Sequence, residues 1–279
     1  QNDCNNQRGF FISGTHTSDQ KCDYECTTNQ WVSNNEVCYD IIPNRGKLNE
    51  LINNKKYDGE YNGKKYGPIK TWKLGPNIKD LSKLFQNNSD FNEDISGWDV
   101  SNVTDMSYMF NFATIFNQPL DKWDVSNVTD MTYMFAGWGG NGETIFNQPL
   151  DNWDVSNVTS MFAMFTYAIK FNGNISNWNV SNVTDMGGMF RDAHNFNQDI
   201  STKIVTREDG SKYTAWDTSN VTSMSMMFYS AKAFDRDISN WNVNISNNNY
   251  IYHMFEYATK MNKNNCNKPI KLQNPKCLK

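Results

Sequence analysis

The chain is poor in the residues from which enzymes and metal centres are built. Its 279 residues include three histidines, His16, His194 and His253, and none has a recurring acid or nucleophile partner. There is no Gly-rich phosphate loop, no paired metal histidines and no nucleophile motif. The expectation is a protein without enzymatic activity, cofactor or bound metal. No apolar run approaches the roughly 18 residues of a membrane span. Charge of one sign is lacking too. Acids and bases are mixed and the net charge is −4, so no basic footprint points to nucleic acid or to an anionic membrane. Cysteine is missing from the whole middle of the chain: Cys4, Cys22, Cys26 and Cys38 lie at one end, Cys266 and Cys277 at the other. An even number confined to the ends suggests disulfides that staple the termini in an oxidising compartment. Cys266 with Cys277, and two bridges among the first four, is the expected pairing. The Cys22-Asp-Tyr-Glu-Cys26 spacing leaves zinc as the rival reading. The chain opens on Gln1 without a basic-then-apolar leader, which is read as a mature chain after signal-peptide removal.

What the middle holds is a repeat. Trp98-Asp-Val-Ser-Asn-Val-Thr-Asp-Met106 recurs almost unchanged from Trp123, and with small changes from Trp153, Trp178 and Trp216. A Met-Phe pair follows each time, at Phe110, Phe135, Phe165, Phe190 and Phe228. A phrase led by Phe closes the unit, as at Phe116-Asn117 and Phe146-Asn147. The spacing of 25 residues means a solenoid or an array, in which stacked neighbours complete a core that no single unit can close.

The expected fold is an α/β repeat: about seven coils of ~25 residues, each a short strand, a turn and a short helix. The helix is placed on Val103, Met106, Met109 and Phe110, with Thr104 as its cap and Asp105 in its first turn. Val125 and Val128 read as the alternating strand. Pro119 and Pro149 fall in the extended phrase, where each removes a ladder donor, so any ladder there must be short or skip them. Four parts follow: a small Cys-bearing module over 1–45, a helical lead-in over 46–65, the repeats over 66–260, and a disulfide-closed cap over 261–279.

Two coils carry insertions. One holds Trp138-Gly-Gly-Asn-Gly142; the other, over 202–214, reads as a β-hairpin with Asp209-Gly210 at its turn. Insertions in repeat proteins decorate one face, often the binding face. Trp138, Arg207, Glu208, Asp209, Lys212 and Tyr213 are therefore the candidate binding residues. N-glycosylation sequons begin at Asn87, Asn102, Asn127, Asn157, Asn174, Asn182, Asn220 and Asn244. Most belong to the recurring Asn-Val-Thr, where glycans on every rung would crowd one another; Asn87 and Asn174 stand outside that column. Asp99, Asp124, Asp154 and Asp217 share one repeat position. They could line a calcium ladder or form Asx turns.

At Trp98–Met106 and its copies, and at the entry phrase Tyr66-Gly-Pro-Ile-Lys-Thr-Trp72, the sequence resembles the mycoplasma-type lipoprotein-associated surface-protein repeat. That repeat is a close cousin of the BspA-like leucine-rich-repeat surface proteins. The resemblance covers roughly residues 66–260. It implies a right-handed, leucine-rich-repeat-like solenoid, an exported surface protein and no enzymatic activity. The function expected is a repeat scaffold that binds protein or glycan on another surface. The alternative is a structural subunit of an extracellular filament, coat or virion surface, joined to its own copies through the end modules.

Overall fold

The computed structural model describes residues 30–32, 38–58, 60–243, 251–269 and 272–273; of Trp31, Val32 and Cys38 it describes the backbone alone. Successive repeats stack on one another through isolated parallel bridges. These join Asp80 to Asp105, Asp105 to Asp130, Asp130 to Ser160, Ser160 to Asp185 and Asp185 to Ser223.

The bonds around those bridges define a rung. The N–H groups of Met106, Tyr108, Phe110 and Phe112 donate to the carbonyls of Asp130, Thr132, Met134 and Ala136 one coil on, at 2.8–3.0 Å. The intervening N–H groups of Met109, Asn111 and Ala113 close turns three residues back, onto Met106, Tyr108 and Phe110. Tyr108 and Phe112 take the left-handed conformation, φ 58° and 61°. Lys83 with Asn87, Ala163 with Tyr167, Gly188 with Asp192, Met226 with Ser230 and His253 with Tyr257 repeat that pair. The left-handed region costs a non-glycine residue about 1–2 kcal/mol. Here it aims each N–H at a carbonyl of the next coil, and the ladder bond offsets the cost.

The helix expected over Val103–Phe110 is therefore not formed, and the segment contains the inter-coil ladder instead. The cause is a near-degenerate period. Overlapping turns with a left-handed residue every four positions bury Met106, Met109, Phe110 and Ala113. A helix of 3.6 residues per turn would bury the same set. Over so short a stretch the apolar pattern cannot separate the two. The strand expected at Val125–Val128 is likewise absent from that segment, which closes a turn from Val128 N–H to Val125 O.

The rest of the coil is joined by side chains. In the Pro119 phrase, Asn117 N–H donates to Asn92 Oδ1 and Gln118 Nε2 to Asn92 O; the N–H bond recurs at Asn147, Asn172 and Asn197. Each buried tryptophan after Trp72 donates its indole N–H to an Ile or Leu carbonyl of an earlier coil: Trp123 to Ile95, Trp153 to Leu120, Trp178 to Leu150, Trp216 to Ile175. Asn127, Asn157, Asn182 and Asn220 donate their amides to Ser101, Ser126, Ser156 and Ser181 carbonyls. The core between these edges is columnar. Phe85, Phe110, Phe135, Phe165, Phe190, Phe228 and Phe255 stack at 5.4–5.8 Å. Each of the first six also lies 3.8–4.2 Å from the Phe that opens the closing phrase of its coil.

Helix α1, Arg45–Asn53, covers the N-terminal end of the stack. Asn44 caps it by accepting the Lys47 N–H, and its buried residues are Leu48, Leu51 and Ile52. Two short antiparallel pairs flank α1: β1 (Gln30–Val32) with β2 (Cys38–Asp40), and β3 (Glu60–Tyr61) with β4 (Lys64–Lys65). A third hairpin, β5 (Lys203–Thr206) with β6 (Lys212–Ala215), fills the insertion at 202–214. Helix α2, Thr259–Lys263, inserts Met261 at the C-terminal end. Cys266 is disulfide-bonded. Cys4, Cys22, Cys26 and Cys277 lie outside the described residues.

Candidate functional site

Each rung has an inner and an outer side. The inner side chains are Met, Phe and Ala; the outer ones stand where the left-handed residues and their predecessors point away from the core. Along the stack one outer file reads Lys83, Tyr108, Tyr133, Ala163, Gly188, Met226, His253. Beside it run Phe162 and Tyr252, one position earlier in their rungs. The file four residues later reads Asn87, Phe112, Gly137, Tyr167, Asp192, Ser230, Tyr257. The result is a partly exposed strip of aromatic rings. Tyr108 stacks on Tyr133 at 4.9 Å, and Tyr133 meets the edge of Phe162 at 5.3 Å. Trp138, 65% exposed, stacks on Tyr167 at 6.2 Å. Tyr229 meets Tyr257 edge-on at 5.2 Å.

Cations border the strip. Lys83 Nζ lies 5.7 Å from the Tyr108 ring and the Arg191 guanidinium 5.3 Å from that of Tyr229. Arg191 also faces Asp192, Nε to Oδ2 at 3.5 Å, and His194 Nε2 stands 3.7 Å from Asp192 Oδ1. Burial, with Lys232 beside it, holds His194 below its ordinary value despite Asp192. Burial raises the Tyr133 and Tyr167 phenols, so both remain neutral donors. Because Tyr108 and Tyr133 cover each other's faces, that part of the strip offers ring edges and hydroxyls. Such a surface suits hydrogen-bonding, shape-specific contacts at low entropy cost.

The sequence-derived candidates do not form one site. Trp138 stands at the end of a rung, where its N–H bonds Gly142 O, and Glu143 ties the loop by accepting from Gly140 and Asn141. The 202–214 hairpin leaves the coil elsewhere, between Ile200 and Trp216. There Arg207 lies over the Tyr213 ring at 4.3 Å, and Tyr213 donates its hydroxyl to Asn177 O. Asp209 accepts the Ser211 N–H to shape the turn; Glu208 and Lys212 are exposed. So Trp138 joins the strip and the hairpin residues stand on the tryptophan edge. Tyr108, Phe112, Tyr133, Phe162, Tyr167, Tyr229, Tyr252 and Tyr257 went unread in the sequence. The available signal was aromatic residues at the positions that vary from one repeat to the next.

The remaining candidates have structural partners. Asp99, Asp124, Asp154 and Asp217 accept the N–H of the serine two residues on, the Asx turn, and Asn179 does the same. The amides of Asn127, Asn157, Asn182 and Asn220 are already engaged across coils, and Asn174 caps Ser176. Asn87 and Asn102 are exposed; Asn244 lies outside the described residues.

No helix among the described residues is long and apolar enough to cross a membrane. Residues 53–139, 141–211 and 208–273 match the family described as Mycoplasma protein of unknown function, DUF285. No curated protein and no solved structure gives a significant match.

Proposed function

This chain belongs to the DUF285 family, and from that premise we propose that it is an exported surface protein whose repeats form a binding scaffold without enzymatic activity. The stack is a right-handed, leucine-rich-repeat-like solenoid of seven coils, and its working surface is the outer side of the rungs. The observation that carries this reading is the contrast between positions. Tryptophan recurs without exception from Trp72 to Trp241, whereas the outer file changes from Lys83 through Tyr133 to His253. A surface held by backbone bonds is free to vary its side chains, and it carries the partly exposed aromatics that suit protein or glycan partners. Trp138 extends that surface, and the 202–214 hairpin offers a second, smaller one. The filament alternative is weakened by Arg45, which sits over the first rung and donates to Ser82 O, where a stacked copy would have to dock.

The test is binding to immobilised glycans and extracellular-matrix proteins by the whole chain, set against the triple variant Tyr108→Ser, Tyr133→Ser, Phe162→Ser. A loss of at least tenfold in affinity with unchanged circular dichroism is expected. Full binding by the triple variant, with loss on deleting 202–214, would move the site to the hairpin.

A further inference from the structure

Six large hydrophobic side chains are exposed among the described residues. Three of them, Ile115, Trp138 and Ile145, stand at one corner of two neighbouring coils, 44%, 65% and 39% exposed. Ile115 and Ile145 each precede the phenylalanine that opens a closing phrase, Phe116 and Phe146. Those two rings stack at 6.0 Å, and Ile145 N–H donates to Thr114 O. Trp138 is carried by the loop that leads from the rung to Ile145. That loop is fixed before any ligand arrives. Trp138 N–H donates to Gly142 O, the Glu143 carboxylate accepts from Gly140 and Asn141, and Gly137 passes too close to Gly142 O to admit a Cβ. Trp72, Trp98, Trp123, Trp153, Trp178, Trp216 and Trp241 all donate their indole N–H to a carbonyl. The Trp138 indole N–H has no acceptor among the described residues.

Charge at this corner runs against its surroundings. Residues 84–243 hold 19 Asp and Glu against 8 Lys and Arg. Yet Lys170 precedes Phe171 just as Ile145 precedes Phe146, and Lys232 lies two coils further on, beside His194. Both lysines are exposed, and neither has a carboxylate within ion-pair distance among the described residues. The nearby Asp192 faces Arg191 and His194, and Glu143 is engaged by the loop N–H groups. An apolar anchor point with an unused indole donor is thus followed along the stack by two unused ammonium groups.

We infer, on the reading of the stack as a binding scaffold, that this corner docks an extended acidic segment of another protein, its apolar side chains against Ile115, Trp138 and Ile145 and its carboxylates on Lys170 and Lys232. The rigid loop presents Trp138 at low entropy cost, as the anchor of an interface requires. Charge complementarity selects the rest of the segment. The rings of Phe146, Phe171, Phe196 and Phe234 follow one another at 6.2, 5.9 and 5.7 Å. An extended chain rises about 3.4 Å a residue, so its carboxylates belong roughly two and roughly five to six residues from the apolar pair. A neutral saccharide would leave both ammonium groups unanswered and set its hydroxyls on isoleucine. An anionic bilayer would bring its charge against the 19 acids of the same coils.

The probe is the peptide acetyl-Leu-Phe-Ser-Asp-Ser-Ser-Asp-Asp-amide, labelled for fluorescence anisotropy and titrated against the whole chain to about 1 mM. Saturable binding is expected. It should weaken at least tenfold in Trp138→Ala and at least threefold in the double variant Lys170→Gln, Lys232→Gln, with the thermal unfolding of both unchanged. The Trp138 indole N–H resonance, assigned with Trp138→Phe, should shift with peptide while the other indole resonances stay in place. Absence of binding overturns this partner and leaves the scaffold to the glycan and matrix-protein screen, whose variants are different ones. Equal binding with lysine in place of aspartate overturns the carboxylates, and equal binding with serine in place of Leu-Phe overturns the anchor. Trp138-dependent binding to phosphatidylglycerol vesicles in place of the peptide would assign the corner to a bilayer. A Trp138-dependent dimer in light scattering would assign it to a second copy; either result overturns the acidic segment.

Discussion

The rung at 106–112 and the tryptophan edge at 120–128 hold the same coils together by opposite means. The rung uses four backbone bonds per coil and asks of its outer side chains only that they tolerate a left-handed residue. The tryptophan edge uses an indole, an asparagine amide and an Asx turn, each of which demands a particular side chain. Repetition in the sequence is therefore strict where side chains make the joint and loose where the backbone does. The loose surface is the one on which recognition can be written.

The largest effect expected follows from the strict edge. Trp178 is fully buried, stacked between Trp153 and Trp216 at 6.4 Å, and bonded to Leu150 O. Trp178→Ala should cost about 3–5 kcal/mol of unfolding free energy by urea titration. Tyr133→Ser, an aromatic loss on the loose surface, should stay within about 1 kcal/mol. Equal costs would break the comparison. Next comes Asn157→Ala, which removes the amide bond to Ser126 O and should cost about 1 kcal/mol in the same titration. Smaller still is Gly188→Ala, at φ 63°, where other coils carry Tyr or Lys and an added Cβ meets Thr166 Oγ1 at an ordinary 3.6 Å. About 1 kcal/mol or less is expected, and a cost of several would show that the outer file is not interchangeable.

The smallest effects are those of pH. His194 resists its proton when folded, so the unfolded chain binds more protons and stability should decline as pH falls below about 6.5. Asp94 is held low by the Ser96 hydroxyl and N–H. Its contribution is present above the ordinary carboxylate value and is lost as pH drops below about 4. Thermal unfolding of His194→Gln against the parent between pH 7 and 5 isolates the first step; a parallel decline in both would remove His194 from it.

The period and the buried tryptophan and Met-Phe columns were legible because burial and spacing are written directly in residue type. The local conformation was not. Met106, Met109, Phe110 and Ala113 are spaced for a helix, and what decides against one is the supply of carbonyls from the next coil, a long-range fact. Proline did speak: the Pro119 phrase is joined mainly through Asn117 and Gln118 side chains. The aromatic strip was illegible for a related reason. Tyr108 and Phe162 look like further core residues until the left-handed positions fix which way each rung faces.

The regular run of ladder bonds also bears on how such a chain can change its length. Every coil meets its neighbours through the same set of bonds, Met106 N–H reaching on to Asp130 O while Thr129 N–H reaches back to Thr104 O, and so does any block of coils. A coil duplicated or deleted anywhere in the middle leaves both terminal surfaces as they were, with Arg45 still meeting carbonyls and the last coil still meeting its own cap. Unequal recombination between near-identical 25-residue stretches can thus lengthen or shorten the array by about 4.8 Å a step where the backbone ladder runs. Reach becomes a heritable quantity adjustable without redesigning either end.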